Sequence, residues 1–239
     1  MRVEVARPEG VARAVRGPHG WSIDLTGDDR LHARAGLITS VLDAVRAAGG
    51  GPVHLWVPRP TAADDALAGT TGLVSGRELF QMRRPLPADE HSTLTVRAFR
   101  PGEDDASWLE VNNRAFASHP EQGAWDTSTL RTKLAEPWFD ASGFLLYEED
   151  GRLLGFCWTK IHADDHPPVG EIFVIAVDPD ASGRGLGRGL TLAGLDHLAG
   201  RGLAVGMLYV DTTNVPALEL YRQLGFTVDH VHRAYTAMV

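Results

Sequence analysis

At 239 residues, with a formal charge of −8 and one cysteine, the chain is long enough for one large domain or two small ones, each able to bury a core. The acidic balance argues against a general binder of nucleic acid or anionic membrane, because such proteins need a basic face to neutralise phosphates. The lone Cys157 excludes an internal disulfide, and the opening MRVEVARPEG carries no apolar signal core or membrane span; a cytoplasmic location is therefore expected.

Residues 1–84 read as an imperfect copy of the C-terminal part. Sliding the chain on itself without gaps puts Gly36-Leu37 on Gly189-Leu190, an offset of 153 (189 minus 36), and the same offset puts Asp43 on Asp196, Leu55-Trp56-Val57 on Leu208-Tyr209-Val210, Leu67 on Leu220 and Gly72 on Gly225. One offset serving a helix, a strand and the next helix marks an internal repeat. The copy keeps the apolar skeleton and changes the polar positions: Gly183, Arg184, Gly185 and Gly187 face Arg30, Leu31, His32 and Arg34, while Glu171 faces Pro18, Asn214 faces Thr61 and Tyr221 faces Ala68. Met1 falls on Leu154, in mid-strand, so the first module is expected to lack roughly sixty residues at its front, enough for two strands and a helix or two.

Residues 85–92 (PLPADEHS) have the composition of a linker, and a complete module is expected over 93–239. Within it Leu94 to Phe99 alternates as a strand, Asp104 to Phe116 has helical spacing, and Asp126 or Thr127 caps a short helix to Ala135. Gly143 to Tyr147 and Leu153 to Ile161 form a hairpin around Asp150-Gly151. The apolar run Ile172 to Val177 follows, then Asp178-Pro179, then the glycines 183, 185, 187 and 189 interleaved with Arg184 and Arg188, then a helix from Gly185 to about Arg201. Ala204 to Val210 is a buried strand, Thr213 or Asn214 caps the helix that ends at Leu224-Gly225, and Val228 with His230 to Met238 supply the last strands.

The strand, glycine loop and helix start form an anion seat. Unpaired backbone N–H groups at a helix N-terminus, approached through glycines and flanked by arginines, suit a pyrophosphate. A dinucleotide G-x-G-x-x-G fails in both frames, since Arg188 or Leu190 stands where the last glycine is needed, and no Gly-Lys-Ser/Thr exists for a P-loop. The alternative is a glycine-rich turn before an ordinary helix. Glu171 opens a strand apolar on both faces, a position that suits a carboxylate only at a solvated strand end or at the mouth of a site, where it could take a proton from an amine. Tyr221, at helical spacing with Leu218 and Leu224, reads either as core or as a proton donor to a leaving thiolate. His162, Asp164, Asp165 and His166 lie in a polar loop and lack a third ligand element, so no metal site is expected. His230 and His232 share a strand face as surface or packing residues, and Cys157, between Phe156 and Trp158, reads as a buried small side chain.

The loop Ser182, Gly183, Arg184, Gly185, Leu186, Gly187 resembles the Q/R-x-x-G-x-G/A acyl-CoA loop of the GNAT N-acyltransferases, with Ser182 where that family carries Gln or Arg. The longer run resembles the mycothiol synthase family within it, through Asn113 to Phe116, His119 to Gly123 (HPEQG), Glu136 to Asp140 (EPWFD), Gly155 to Lys160 (GFCWTK), Thr191 to Leu195, and Leu208 to Asp211 with Asn214. The resemblance implies a GNAT fold, an α/β arrangement of a mixed, mostly antiparallel sheet flanked by helices, with one complete catalytic module beside a degenerate partial half. It implies acetyl transfer from acetyl-CoA, a co-substrate, to the cysteinyl amine of the glucosaminyl-inositol precursor, with no metal. By matching motif, Glu171 would be the general base and Tyr221 the general acid; Glu121, Lys160, Glu171 and Tyr209 would line the acceptor pocket. Ile175, Ala176 and Val177 would pair with the pantetheine arm, Ser182 to Arg188 (Ser182, Gly183, Arg184, Gly185, Leu186, Gly187, Arg188) would hold pyrophosphate, and Asn214, Val215, Pro216, Ala217, Leu218 and Glu219 would touch the CoA tail. The partner expected is a small-molecule amine, with no nucleic acid or membrane, and the chain is expected to act as a monomer. Two other readings are an acyltransferase for another small amine and a non-catalytic acetyl-CoA-binding module.

Overall fold

The computed structural model describes residues 1–17, 20–27, 30–117, 119 and 122–239. In chain order the elements are β1 (Arg2–Arg7), β2 (Gly10–Gly17), β3 (Gly20–Gly27), α1 (Leu31–Ala47), β4 (Pro52–Pro58), α2 (Ala62–Thr71), β5 (Val74–Pro85), β6 (Val96–Ala98), α3 (Asp105–Ala115) and α4 (Thr127–Leu134). There follow β7 (Phe144–Glu149), β8 (Arg152–His162), β9 (Val169–Val177), α5 (Leu186–Gly200), β10 (Val205–Asp211), α6 (Val215–Gln223) and β11 (Thr227–Met238). They divide into two compact units, the first holding Met1–Gln81, Asp211–Thr213 and Asp229–Val239, the second Met82–Val210 and Asn214–Val228. Among the described residues no helix is long and apolar enough to cross a membrane.

In the first unit β1, β2 and β3 form an antiparallel meander, α1 crosses to β4 in parallel register with β3, and β11 pairs antiparallel with β4. The sequence accounts for this locally. Leu37, Val41 and Val45 recur every four residues beside Ile38 and Leu42, a stripe that buries against the alternating Val53, Leu55 and Val57 of β4. Trp21 is fully buried, with its indole N–H donating to the Gly50 carbonyl at 3.0 Å. Thr61 and Asp64 make a reciprocal capping box for α2, and Gly72, at φ 78°, ends it.

The strand registers refine the repeat. β4 and β10, and β5 and β11, keep the 153-residue spacing end to end. Upstream the spacing shrinks: 32 residues separate Trp21 from its partner Val53, against 36 from Gly170 to Gly206. Of the four residues by which the first unit is shorter, one is a bulge that β9 carries at Phe173 and β3 lacks, and three fall between strand and helix, in the stretch that is the glycine loop of the second. Ser22, facing His54, therefore corresponds to Glu171, facing Met207; Pro18, its partner in the ungapped comparison, lies outside the described residues. The meander also corrects the expected gap at the front. β1, β2 and β3 correspond to β7, β8 and β9, since Val5 faces Ala12 as Leu145 faces Cys157. Met1 thus does not fall in mid-strand, and among the described residues β6, α3 and α4 of the second unit have no counterpart in the first. An ungapped slide cannot register loops of different length.

In the second unit the strand order is β10-β9-β8-β7-β6, with β10 parallel to β9 and the other neighbours antiparallel, the mixed and mostly antiparallel sheet expected. Trp108, Val111 and Leu130 of α3 and α4 bury against Phe144, Phe156, Trp158, Val174 and Ala176. Against the opposite face lies α5, so close that a Cβ on Gly194 would stand 2.5 Å from the Cys157 Sγ. Cys157 is fully buried there and burial pushes its thiol up to about 12, which leaves it a packing group. Residues 85–92 do not hang free: Ala88 is buried, the Leu86 N–H donates to the Ala204 carbonyl, and Ser92 bonds Gly189 and Asp196 on α5. Residues 229–239, placed by the sequence in one module with 93–228, count with the first unit, because β11 takes β4 as its partner.

His197 on α5 gives a pH prediction. Burial, with Arg201 nearby, holds its imidazole below the ordinary value of about 6.5. The native state then prefers the neutral ring, so its stability contribution is complete above about 6.5 and is lost as pH falls through the depressed native value. Urea midpoints for the wild-type protein should fall between pH 7 and pH 5, and His197→Gln should flatten part of that slope; an unchanged slope in the variant would refute the assignment.

Candidate active site

The floor of the site is β9. It begins at Val169, so Glu171 is its third residue, inside the strand, and not at its opening as the sequence reading had it. The β8 register slips between Trp158 and Thr159, opposite Val174 and Ile172, leaving Phe173 as a bulge. The parallel pairing with β10 covers Gly170–Ile172 against Gly206–Leu208 and goes no further, although both strands continue. From Phe173 to Val177 the backbone edge towards β10 is therefore open, while the other edge is held by β8. Of the three residues expected to pair with a pantetheine arm, Ile175 and Val177 are half-buried and Ala176 packs in the core, so what they offer a ligand is main chain.

Glu171 is 6% exposed, and its Oε2 lies 2.7 Å from the His162 Nε2 at the end of β8. Lys160 faces Glu171 directly across the β8–β9 rung. Its ammonium sits over the Trp138 ring at 5.0 Å and near Phe173 at 5.8 Å, a cation–π seat for the charge. Tyr209 lies two residues beyond Met207, the β10 partner of Glu171, on the same face and 36% exposed. Lys160, Glu171 and Tyr209 are thus brought together on adjacent strands. Glu121 lies outside the described residues.

The anion seat follows β9. Asp178, the N-cap of a 3-10 turn (Pro179–Ala181), and Asp180 within it are clamped by Arg114 of α3 and Arg152 of β8 through N–O distances of 2.8–3.3 Å. Arg114 first, then Arg152, hold the Asp180 carboxyl below the usual carboxylate range. Beyond the clamp Gly183 and Gly185 take φ values of 77° and 78°, the left-handed region that a side chain strains. Gly185 is the N-cap of α5 with no side-chain cap and no acidic residue in the first turn, so the helix start keeps its N–H groups for an external anion. Arg184 and Arg188 flank it, paired with Glu149 at 2.8 Å and Glu90 at 2.6 Å. Leu186, expected among the phosphate contacts, is buried, so it can contribute only through its backbone.

Asn214 caps α6 by accepting from the Ala217 N–H at 3.2 Å, and it, Val215, Pro216 and Glu219 are exposed. Leu218 points into the core, which removes its side chain from any ligand surface. Tyr221, one turn on, is buried edge-on to Phe226. Burial, with Cys157 nearby, raises its phenol well above the ordinary value and keeps it a proton donor. Among the described residues no three or more His, Cys, Asp and Glu side chains gather as a metal-ligand set.

The profile of the acetyltransferase (GNAT) family matches residues 106–226. The chain belongs to the GNAT acetyltransferases. Among its relatives, the mycothiol acetyltransferase of Thermomonospora curvata is 52% identical over 204 residues, 83% of this chain and 66% of that protein, so the match spans just under two thirds of the relative's length. The mycothiol acetyltransferase of Acidimicrobium ferrooxidans is 46% identical over 225 residues, covering 89% of this chain and 72% of that one. These matches put the chain in the mycothiol acetyltransferase branch of the GNAT enzymes. The GCN5-related N-acetyltransferase of Sphaerobacter thermophilus shares the fold with a TM-score of 0.77 at 20% identity, covering 96% of this chain and 76% of that structure. A tandem GNAT protein from the clavulanic acid pathway follows at 0.71 and 17%, covering 96% and 78%.

A GNAT acetyltransferase uses acetyl-CoA, and two observations fit that ligand here: an uncapped helix start behind left-handed glycines, and an unpaired strand edge leading from it to Glu171. Gly185→Ala tests the first. A Cβ at φ 78° costs about 1–2 kcal/mol; the free loop can relax out of that conformation and binding must restore it, which should weaken acetyl-CoA binding about tenfold by calorimetry; an unchanged Kd would refute the seat. The sequence reading missed three features of this GNAT site: the His162 bond to Glu171, the Trp138 seat for Lys160, and the Arg114–Asp178 clamp. Lys160 and His162 share a strand face, a period-two signal that could have led to the first.

Proposed function

We propose that the chain transfers the acetyl group of acetyl-CoA to the cysteinyl amine of desacetylmycothiol. One observation carries this reading: a buried carboxylate, Glu171, with a lysine across the rung, at the head of a strand edge left open between two strands that have stopped pairing. In this reading Glu171 takes a proton from the acceptor ammonium, and the freed amine forms the N–C bond as the C–S bond breaks. Main-chain N–H groups on the open edge polarise the thioester carbonyl, Tyr221 gives its proton to the departing sulfur so that CoA leaves as the thiol, and the second proton that the nitrogen sheds on becoming an amide restores the phenol. No covalent enzyme intermediate is needed; the rate comes from holding the two reactants together. Lys160 and Tyr209 would line the acceptor pocket with Glu121. Ser182, Gly183, Arg184, Gly185, Gly187 and Arg188 would hold pyrophosphate, and Asn214 to Ala217 with Glu219 would meet the CoA tail.

The reading includes a cytoplasmic monomer with no metal and no nucleic-acid or membrane partner, and the acidic charge of −8 supports the last of these. The first unit would be a degenerate GNAT half, supported by the shared element spacing and by its shorter strand-to-helix connection. The test is incubation with acetyl-CoA and desacetylmycothiol, followed by mass spectrometry. Acetylated product supports the proposal. Acetyl-CoA binding with this acceptor untouched refutes it, and a panel of other small amines then separates an acyltransferase of different specificity from a silent binding module.

A further inference from the structure

We propose that His162 is a positioning residue for Glu171, holding one carboxylate oxygen so that the other faces the amine. The inference rests on the acetyl-transfer reading above. Its observation is geometric: the His162 Nε2 and the Glu171 Oε2 are 2.7 Å apart, the histidine side chain 24% exposed and the glutamate side chain 8%. Among the described residues this is the side-chain hydrogen bond that Glu171 makes. Lys160, the cross-strand neighbour, does not compete for it, because its ammonium is drawn over Trp138 and Phe173.

The chemistry of the pair sets the proton. A base must be ionised, an ionised carboxylate only accepts hydrogen bonds, and so the hydrogen in the 2.7 Å contact belongs to the histidine Nε2. A bond to an ionised acceptor is stronger than a neutral one and fixes the rotation of the carboxylate plane. With Oε2 occupied, the lone pairs of Oε1 remain for the substrate ammonium. Glu171 sits at the edge of an opening between strands, where nothing else described fixes its head group, and misplacing a base by about 1 Å is enough to cost about a hundredfold in rate. The histidine also follows from the backbone: β8 runs on past Lys160 to a rung between His162 and Val169, which brings position 162 diagonally against 171.

The experiment pairs kinetics with a spectroscopic readout. His162→Ala should lower kcat between about tenfold and a hundredfold and leave the KM for acetyl-CoA unchanged. His162→Gln, whose amide nitrogen reaches a similar position and donates, should recover kcat to within a fewfold of wild type. A purely structural role would instead lower folded fraction and acetyl-CoA affinity together, with no rescue by glutamine. Nitrogen-15 NMR of the imidazole, which needs no turnover, should find the Nε2–H tautomer in the wild-type protein and a loss of that preference in Glu171→Ala. Full kcat in His162→Ala, failure of a folded His162→Gln to recover, or an Nδ1–H tautomer in wild type would each overturn the assignment. A wild-type protein that shows the Nε2–H tautomer but leaves desacetylmycothiol untouched would refute the acceptor reading and uphold the pair.

Discussion

Glu171→Gln is expected to lower kcat for acetyl transfer about a thousandfold, within the range that a positioned general base contributes, while the Kd for acetyl-CoA stays within about twofold of wild type. The substitution keeps the size of the side chain and an oxygen that can accept from His162, and removes the capacity to take a proton. The two readouts separate because the carboxylate and the anion seat lie at opposite ends of β9: Glu171 is its third residue, and the glycines that shape the seat come after Val177. The measurement is single-turnover acetylation followed by mass, beside calorimetry with acetyl-CoA. A variant within tenfold of wild type would remove Glu171 from the role of base. A variant that loses acetyl-CoA binding in proportion to rate would show that the substitution had disturbed β9 itself.

Trp108→Ala is expected to destabilise the protein by about 3–5 kcal/mol, the range for emptying a large aromatic site in a packed core. Trp108 is fully buried at the centre of the second unit, edge-on to Trp125, Phe144, Phe156 and Trp158 at centroid distances of 5.2–6.0 Å. Val174 and Ala176 of the open strand lie in the same cluster, so the core that Trp108 fills also supports the floor of the site. Trp108→Phe should cost less, for two reasons: it leaves a smaller void, and it removes an indole N–H that has no hydrogen-bond partner. Urea unfolding followed by circular dichroism checks both variants. An alanine variant within about 1 kcal/mol of wild type would mean that the neighbouring rings close over the vacancy.

The acyl-CoA loop could be read from the chain before any coordinates because all its parts are consecutive. An apolar run, a proline turn, glycines free to take positive φ and an apolar-striped helix are each set by backbone preferences over a few residues, and Gly183 and Gly185 do take φ values of 77° and 78°. The 153-residue spacing was legible for the same reason, since β4 and β10 keep it even where the loops before them differ. What the chain alone did not show are contacts between residues distant in sequence. Arg114 meets Asp178 across 64 positions, Trp138 seats Lys160, and β11 inserts between β4 and β5, both far from it in the chain. His162 was visible as a polar loop residue, but its bond to Glu171 depends on how far β8 continues, which the register with β9 sets. The bulge at Phe173 and the parting of β9 from β10 are likewise properties of paired strands, absent from either strand alone. Local sequence determined the elements and the loop chemistry; strand register and core packing, which balance contacts over the whole unit, decided which side chains meet at Glu171.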